Sequence, residues 1–66
     1  MSISYIISKE DNDGRVSYFC YFGWGMSPNF SSNISNAKFF KDKSSANASL
    51  AMLKQKGVVG YSVKKY

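Results

Sequence analysis

Hydrophobic residues are concentrated in two runs near the start of the chain, residues 2–9 and 16–24, and the second run would carry aromatic residues on both of its faces as a strand. Successive side chains of a β-strand point to opposite faces of the sheet. The pair Asp13-Gly14 stands between the runs and suits a two-residue hairpin turn, because both positions of such a turn need positive φ. The pattern therefore predicts a β-hairpin over residues 2–24.

A two-residue turn at Asp13-Gly14 determines which residues of the hairpin face each other, and it pairs Ile7 with Cys20. Seven residues then share one face and are predicted to form the core: Ile3, Tyr5, Ile7, Tyr18, Cys20, Phe22 and Trp24. The alternative is a three-residue turn with Gly14 as a bulge, which would shift these partners.

The opposite face of the hairpin is more apolar than a water-facing surface requires. An exposed apolar cluster on a rigid sheet is typical of an interaction site. The candidate partner-binding residues are Ile6, Phe19, Tyr21, Trp24 and Phe30. The alternative is that residues 25–36, or a second copy of the chain, cover this face.

The middle of the chain is predicted to be mostly irregular. Residues 25–36 contain Pro28 and many Ser and Asn, which indicates a loop, with Phe30 and Ile34 able to pin it to the sheet. Residues 37–41 are predicted to be a short third strand or the extended lead into a helix, with one Phe inward and the other outward.

A helix and a last strand complete the chain. Ala46, Leu50 and Leu53 recur at helical spacing, Ser44 is the preferred N-cap, and Gly57 is the predicted left-handed end of the helix. A final strand follows, in which three alternating residues are predicted to face inward: Val59, Tyr61 and Val63.

These elements predict one domain, residues 1–66, of the α+β class. The expected architecture is a two-layer sandwich, in which an antiparallel sheet of three or four strands has one helix packed on one face. The sequence leaves the strand order open. The last strand could pair with the first, which would place the aromatic strand at or near an edge, and a sheet completed only in a dimer is a further alternative.

The residue inventory argues against catalysis and against metal binding. The chain has no His, one Cys and four carboxylates, of which three lie in residues 10–13 around the predicted turn. Acid–base catalysis and metal sites draw on His, Cys and converging carboxylates. The sequence therefore predicts a protein that is not an enzyme and has no metal and no cofactor.

With no signal peptide and no membrane-spanning segment recognised, the expected location is the cytoplasm.

Positive charge dominates the chain after the predicted turn. The net charge is +5, and eight Lys or Arg stand against one Asp from Arg15 onward. A basic surface with aromatic residues is typical of nucleic-acid binding. The residues for this alternative function are Lys38, Lys41, Lys43, Lys64 and Lys65. Arg15 is the only arginine, which disfavours base-specific recognition, and a plainer alternative is that the lysines keep the domain in solution.

The second half of the chain carries a resemblance to known proteins. The residues concerned are the run 36–46 (NAKFFKDKSSA) followed by Leu50, Leu53, Gly57, Gly60, Tyr61 and Val63. This half resembles the ending of many small, mostly uncharacterised phage-encoded proteins of Gram-positive hosts. The order of hairpin, extended segment and helix is also similar to the arm-type DNA-binding domains of tyrosine recombinases, whose three-stranded sheet enters the major groove. This chain departs from them in its apolar second strand and its fourth strand.

The sequence thus favours a small binding module over an enzyme. The resemblance implies a phage-type accessory protein that binds and inhibits or modulates a host protein or defence complex in the host cytoplasm, here through the aromatic sheet face. The alternative is a nucleic-acid-binding protein that uses a basic, aromatic sheet surface. A homodimer is compatible with both, and no membrane partner is expected.

Overall fold

The computed structural model describes residues 3–66, which form one helix and one antiparallel sheet. The elements are β1 (Tyr5–Glu10), β2 (Val16–Phe22), β3 (Pro28–Ser31), α1 (Lys43–Gln55) and β4 (Ser62–Lys65). The strand order is β3-β2-β1-β4, and α1 packs against β1 and β4. The predicted α+β architecture is confirmed, and of the open strand orders the last strand does pair with the first.

The β1–β2 hairpin turns through three residues rather than two. Gly14 N–H donates to the Asp11 carbonyl at 3.0 Å, and Asp11 N–H donates to the Arg15 carbonyl at 2.7 Å. Gly14 has a φ of +86°, a conformation that glycine adopts without the clash a Cβ would introduce. This is a turn followed by a glycine bulge. The two-residue turn was wrong, and the alternative with Gly14 as a bulge is the observed one.

The longer turn exchanges the two faces of β2 relative to β1. Ser8 pairs with Tyr18, so Phe19 shares a face with Ile7, and both lie in the core beneath α1. A slip of one residue moves each side chain of a strand to the opposite face. The predicted core face was therefore wrong for Tyr18 and Cys20 in β2, which lie outside the core cluster. At the end of the hairpin, Trp24 is 99% exposed and Ile3 is 51% exposed, which corrects their inward assignment as well.

A β-bulge then returns one predicted residue to the core. Phe19 pairs with Phe30, and the ladder between β2 and β3 shifts immediately afterwards, which leaves Cys20 as the extra residue. The shift lets Phe22 lie on the same side as Phe19, with their ring centroids 4.9 Å apart. The inward position predicted for Phe22 is thus correct, although the alternation that predicted it is interrupted.

Part of the predicted loop is a strand. Pro28–Ser31 pair with β2 as the edge strand β3, where Pro28 fits because an edge position does not need every N–H. Phe30 stacks on Tyr61, which precedes β4, with centroids 4.8 Å apart. This contact joins the two edges of the sheet across its helix side.

Residues 37–41 lie beside β1 where β2 separates from it. Tyr5 and Phe40 exchange two backbone hydrogen bonds of 2.9 Å, and Lys38 N–H donates to the Phe19 carbonyl at 3.0 Å. The predicted third strand is therefore reduced to an isolated bridge. Phe40 is buried and Phe39 is exposed, so the prediction of one inward and one outward phenylalanine is confirmed.

The helix starts earlier than predicted and ends where predicted. The Asp42 carboxylate, not the Ser44 hydroxyl, caps α1 and accepts from Ser45 N–H at 2.8 Å. A carboxylate is favoured at this position by the positive end of the helix dipole. At the other end, Gly57 has a φ of +85° and leaves the helix in a left-handed conformation.

The last strand is shorter than predicted. Tyr61 and Val63 pack against the core, as expected, but Val59 is 71% exposed, which corrects its inward assignment. Gly60 has a φ of +90° and interrupts the extended chain between them, so regular pairing with β1 begins only at Ser62.

Candidate functional site

The aromatic sheet face predicted as a binding surface is not present as a surface. Ile6 is 5% exposed and Phe19 is 2% exposed, and they lie on opposite sides of the sheet. Ile6 and Ser8 face away from α1 yet are buried, and the 3-10 turn Ile34–Asn36 contacts β2, as the covering-loop alternative expects. Phe19 is therefore corrected to an interior residue because the three-residue turn changed the register, and Ile6 is corrected because its own face of the sheet is buried.

The exposed aromatic residues lie instead around the β2–β3 hairpin. Its tip is the tight turn Trp24–Met26, closed by a 2.7 Å hydrogen bond from Gly23 N–H to the Ser27 carbonyl. Gly25 and Met26 both have positive φ, of 65° and 61°. A methionine in this region is uncommon and carries backbone strain, which in proteins concentrates at functional positions.

The hairpin tip presents a large side chain that the rest of the chain does not cover. Trp24 is 99% exposed, Tyr21 on the same hairpin is 59% exposed and Met26 is 44% exposed. We call these three residues the Trp24 hairpin tip. Phe30 is not part of it, because its ring is packed on Tyr61.

A shallow groove borders the Trp24 hairpin tip. It has a volume of about 310 Å³, lies between α1 and β2, and is lined by Phe19, Tyr21, Phe22, Lys38 and Ser49. The groove exists because α1 packs on β1 and β4 and leaves the β2 side of the sheet only partly covered. Tyr21 belongs to both features, so the apolar surface continues from the tip toward Lys38.

The five lysines predicted for nucleic-acid binding belong to segments that lie at one end of the sheet. Lys64 and Lys65 pair with Ile6 and Tyr5 at the start of β1. The other three are close in sequence to the Tyr5–Phe40 bridge at this same end: Lys38, Lys41 and Lys43. We call this group the lysine end. Because β2 runs antiparallel to β1, the Trp24 hairpin tip lies at the same end of the sheet.

Most of the acidic residues lie at the far end of the sheet. Asp11 is 4.0 Å from Lys9, and Asp13 is 3.3 Å from Arg15, so the acidic turn already has cationic neighbours. At the lysine end the chain places a single carboxylate, Asp42. The molecule therefore carries its surplus positive charge at the end that holds the exposed aromatics.

Sequence reasoning missed an aromatic pair within the lysine end. Phe39 and Tyr66 meet edge to face, with centroids 5.2 Å apart, and remain 41% and 65% exposed. Tyr66 N–H donates to the Ser4 carbonyl at 2.8 Å, which extends the pairing of β4 with β1 and holds the ring beside Phe39. The signal in the sequence was that a lysine directly precedes each of these aromatic residues.

Three titratable side chains have pKa values that their surroundings shift. Burial raises the pKa of the Cys20 thiol, which donates to the Tyr18 carbonyl at 3.6 Å. The hydrogen bond from Ser45 N–H lowers the pKa of Asp42, and desolvation raises the pKa of Tyr61. Within residues 3–66, no three His, Cys, Asp or Glu side chains meet as metal ligands.

The helix in the described part of the chain is too short and too polar to cross a bilayer.

Comparison with known proteins finds no matching family model, and no curated protein or solved structure that is significantly similar. The resemblance to phage proteins and to recombinase arm domains therefore stays a prediction, and the geometry of the Trp24 hairpin tip and the lysine end carries the functional argument.

Proposed function

We propose that this protein is a non-enzymatic binding module whose partner is another protein and whose anchor is Trp24. The observation that carries the proposal is the exposure of Trp24, 99%, on a hairpin closed by backbone hydrogen bonds. Tryptophan is the residue type most enriched among the side chains that dominate protein interfaces. An aromatic side chain can bury on the order of 150–250 Å². Burial of the Trp24 ring in a pocket of the partner would therefore contribute strongly to the free energy of binding.

The surroundings of Trp24 indicate the chemistry of the partner. Tyr21 and Met26 extend the apolar contact, and a thioether adapts to irregular surfaces. Lys38, at the end of the adjacent groove, and the other residues of the lysine end add positive charge around it. The partner is therefore a protein with an apolar pocket for the indole and an acidic rim. A host enzyme or defence complex, implied by the phage resemblance, is the partner class that we propose.

Capture from a host lysate with and without nuclease tests the proposal. The unchanged protein should retain one protein partner in both cases, and Trp24→Ala should weaken its binding by about 30-fold or more, the loss typical of an interface anchor. Val59→Ala is the matched control, because Val59 is an exposed apolar residue in the segment before β4, remote from the tip. Capture that nuclease abolishes would contradict a protein partner.

The fluorescence of Trp24 gives a direct measure of its burial, because the chain contains one tryptophan. Titration with the purified partner should move its emission to shorter wavelength and protect it from acrylamide quenching. Unchanged emission and quenching in a saturated complex would mean that another surface binds the partner, and Trp24 would not be the anchor.

A further inference from the structure

We propose that the lysine end, together with the Phe39–Tyr66 pair, is a separate surface that binds single-stranded nucleic acid without sequence preference. This surface goes beyond protein binding through Trp24, because it lies at the β4 edge of the sheet and the segment before α1, whereas Trp24 lies on the β2–β3 hairpin at the other edge. Surfaces of this class combine lysines that follow the phosphates with aromatic rings on which bases stack.

The aromatic pair is held in position but not covered. Phe40 is buried under the sheet, so its neighbour Phe39 points to the other side, where it meets Tyr66. The interplanar angle of 64° means that the edge of one ring contacts the face of the other. This arrangement leaves ring surface free, as the exposures of 41% and 65% show.

The charge around the pair is available to an anionic ligand. Among residues 3–66, the ion pairs within 4.0 Å involve Lys9 and Arg15, and none involves a member of the lysine end. Asp42 is the nearby carboxylate in the sequence, and its Oδ1 accepts hydrogen bonds from Ser45 N–H and the Ser44 hydroxyl. All five lysines are exposed, and Asp42, the nearby acidic side chain, is already engaged in capping α1. The alternation along β4 places Lys64 on the same face as Tyr66 and Lys65 on the opposite face.

A single strand fits these features better than a duplex does. Exposed rings stack with unpaired bases, whereas paired bases are already stacked inside a duplex. Sequence-specific reading of a duplex relies mainly on arginine in the major groove, and the one arginine, Arg15, lies at the far end of the sheet beside Asp13. The ligand is therefore single-stranded DNA or RNA, bound through phosphates and base faces.

Fluorescence anisotropy with a labelled oligothymidylate of about 16 nucleotides tests the surface, since OB-folds that bind single strands occupy about 4–16 nucleotides each. Binding should be tighter than to a duplex of equal length. Contact with about four phosphates predicts a slope near −3 in a plot of log K against log salt concentration. The double variant Phe39→Ala/Tyr66→Ala should bind about tenfold more weakly, and Tyr66→Ala alone should show part of this loss.

Lysine variants inside and outside the proposed surface distinguish binding at this surface from general electrostatic attraction to a basic protein. Lys41→Gln/Lys43→Gln/Lys64→Gln should reduce the magnitude of the salt slope by about 2. Lys54→Gln/Lys56→Gln changes exposed lysines near the other end of α1 and should leave the slope nearly unchanged. Circular dichroism melts should be alike, because all the changed side chains are exposed.

Several results would overturn the proposal: no binding at low salt, equal affinity for the duplex, or a double aromatic variant that binds normally. An equal loss in the Lys54/Lys56 control would also overturn it, because the attraction would then be unspecific. Trp24→Ala should bind the oligonucleotide within about twofold of the unchanged protein, because Trp24 lies on the β2–β3 hairpin and not on the β4 edge that holds the Phe39–Tyr66 pair. Failure of the protein-binding proposal and failure of this one are therefore distinguishable.

Discussion

Phe19 lies in the core of the sheet, contacts the edge strand β3 and lines the groove. Its ring lies 4.9 Å from that of Phe22 and 6.2 Å from that of Phe30, and its carbonyl accepts a hydrogen bond from Lys38 N–H. Two residues along the strand, Tyr21 is 59% exposed. Two aromatic residues of the same strand therefore have opposite roles, one in packing and one at the surface.

Phe19→Ala and Tyr21→Ala should differ sharply in their effect on stability. We expect Phe19→Ala to lower the free energy of unfolding by about 3–5 kcal/mol, because it leaves a cavity in the core. Tyr21→Ala should change it by less than about 0.5 kcal/mol, as surface substitutions usually do. Urea unfolding followed by circular dichroism measures both. Equal losses would mean that Tyr21 is packed as well and cannot serve as part of the Trp24 hairpin tip.

The helix α1 depends on a charged cap at its first turn. The Asp42 carboxylate accepts from Ser45 N–H at 2.8 Å and from the Ser44 hydroxyl at 2.9 Å. These hydrogen bonds favour the ionised form, so the pKa of Asp42 lies below its ordinary value in the folded protein. The stabilisation from this group is complete above the pKa of the unfolded chain, and it is lost as the pH falls through the lower folded pKa.

Asp42 should therefore contribute to the acid sensitivity of the fold. Asp42→Ala should lower the melting temperature at neutral pH, because Ser45 N–H loses its partner. Asp42→Asn keeps an acceptor for the cap but does not titrate, so its melting temperature should fall less between neutral pH and about pH 3 than that of the unchanged protein. Thermal melts over this range provide the measurement. Identical pH profiles for the two proteins would show that Asp42 is not a source of the acid sensitivity.

The two ends of the described chain are joined through neighbouring strands in the sheet. β4 pairs with β1 from Ser62–Ser8 to Lys65–Tyr5, and Val63 packs with Ile7 in the core beneath α1. A chain of 66 residues has little core to spare, since a domain of this size buries only about 60% of its unfolded surface. We therefore expect the last strand to be required for the fold as a whole.

Deletion of residues 62–66 should abolish the cooperative thermal transition. The deletion uncovers the edge of β1 and removes Val63, one of the apolar residues that close the core. Deletion of Tyr66 alone is the control and should preserve the transition, because Tyr66 is 65% exposed and lies beyond β4. Circular dichroism melts distinguish the two. A cooperative melt for the longer deletion would mean that β1, β2, β3 and α1 form a stable core without β4.

Local signals in the sequence were sufficient for the types of most elements, but not for β3, which was predicted to be part of a loop. The helix from the Ala46 turn to Gly57, the two strands of the first hairpin and the strand near Val63 were predicted because periodicity and helix-terminating glycine act over a few residues. The α+β class followed from their order. The N-cap was missed by two residues, since Asp42 and Ser44 are both good capping residues and competed for the same position.

The strand register and the long-range contacts could not be predicted from local sequence patterns. One extra residue in the turn at Gly14 moved Phe19 into the core, and the bulge at Cys20 returned Phe22 to the same side. The sequence shows which residues are lysines, but the position of the lysine end depends on the pairing of β4 with β1. Phe39 and Tyr66 are brought together by that same pairing. Contacts between distant parts of a chain arise from packing of the folded elements, which no local pattern encodes.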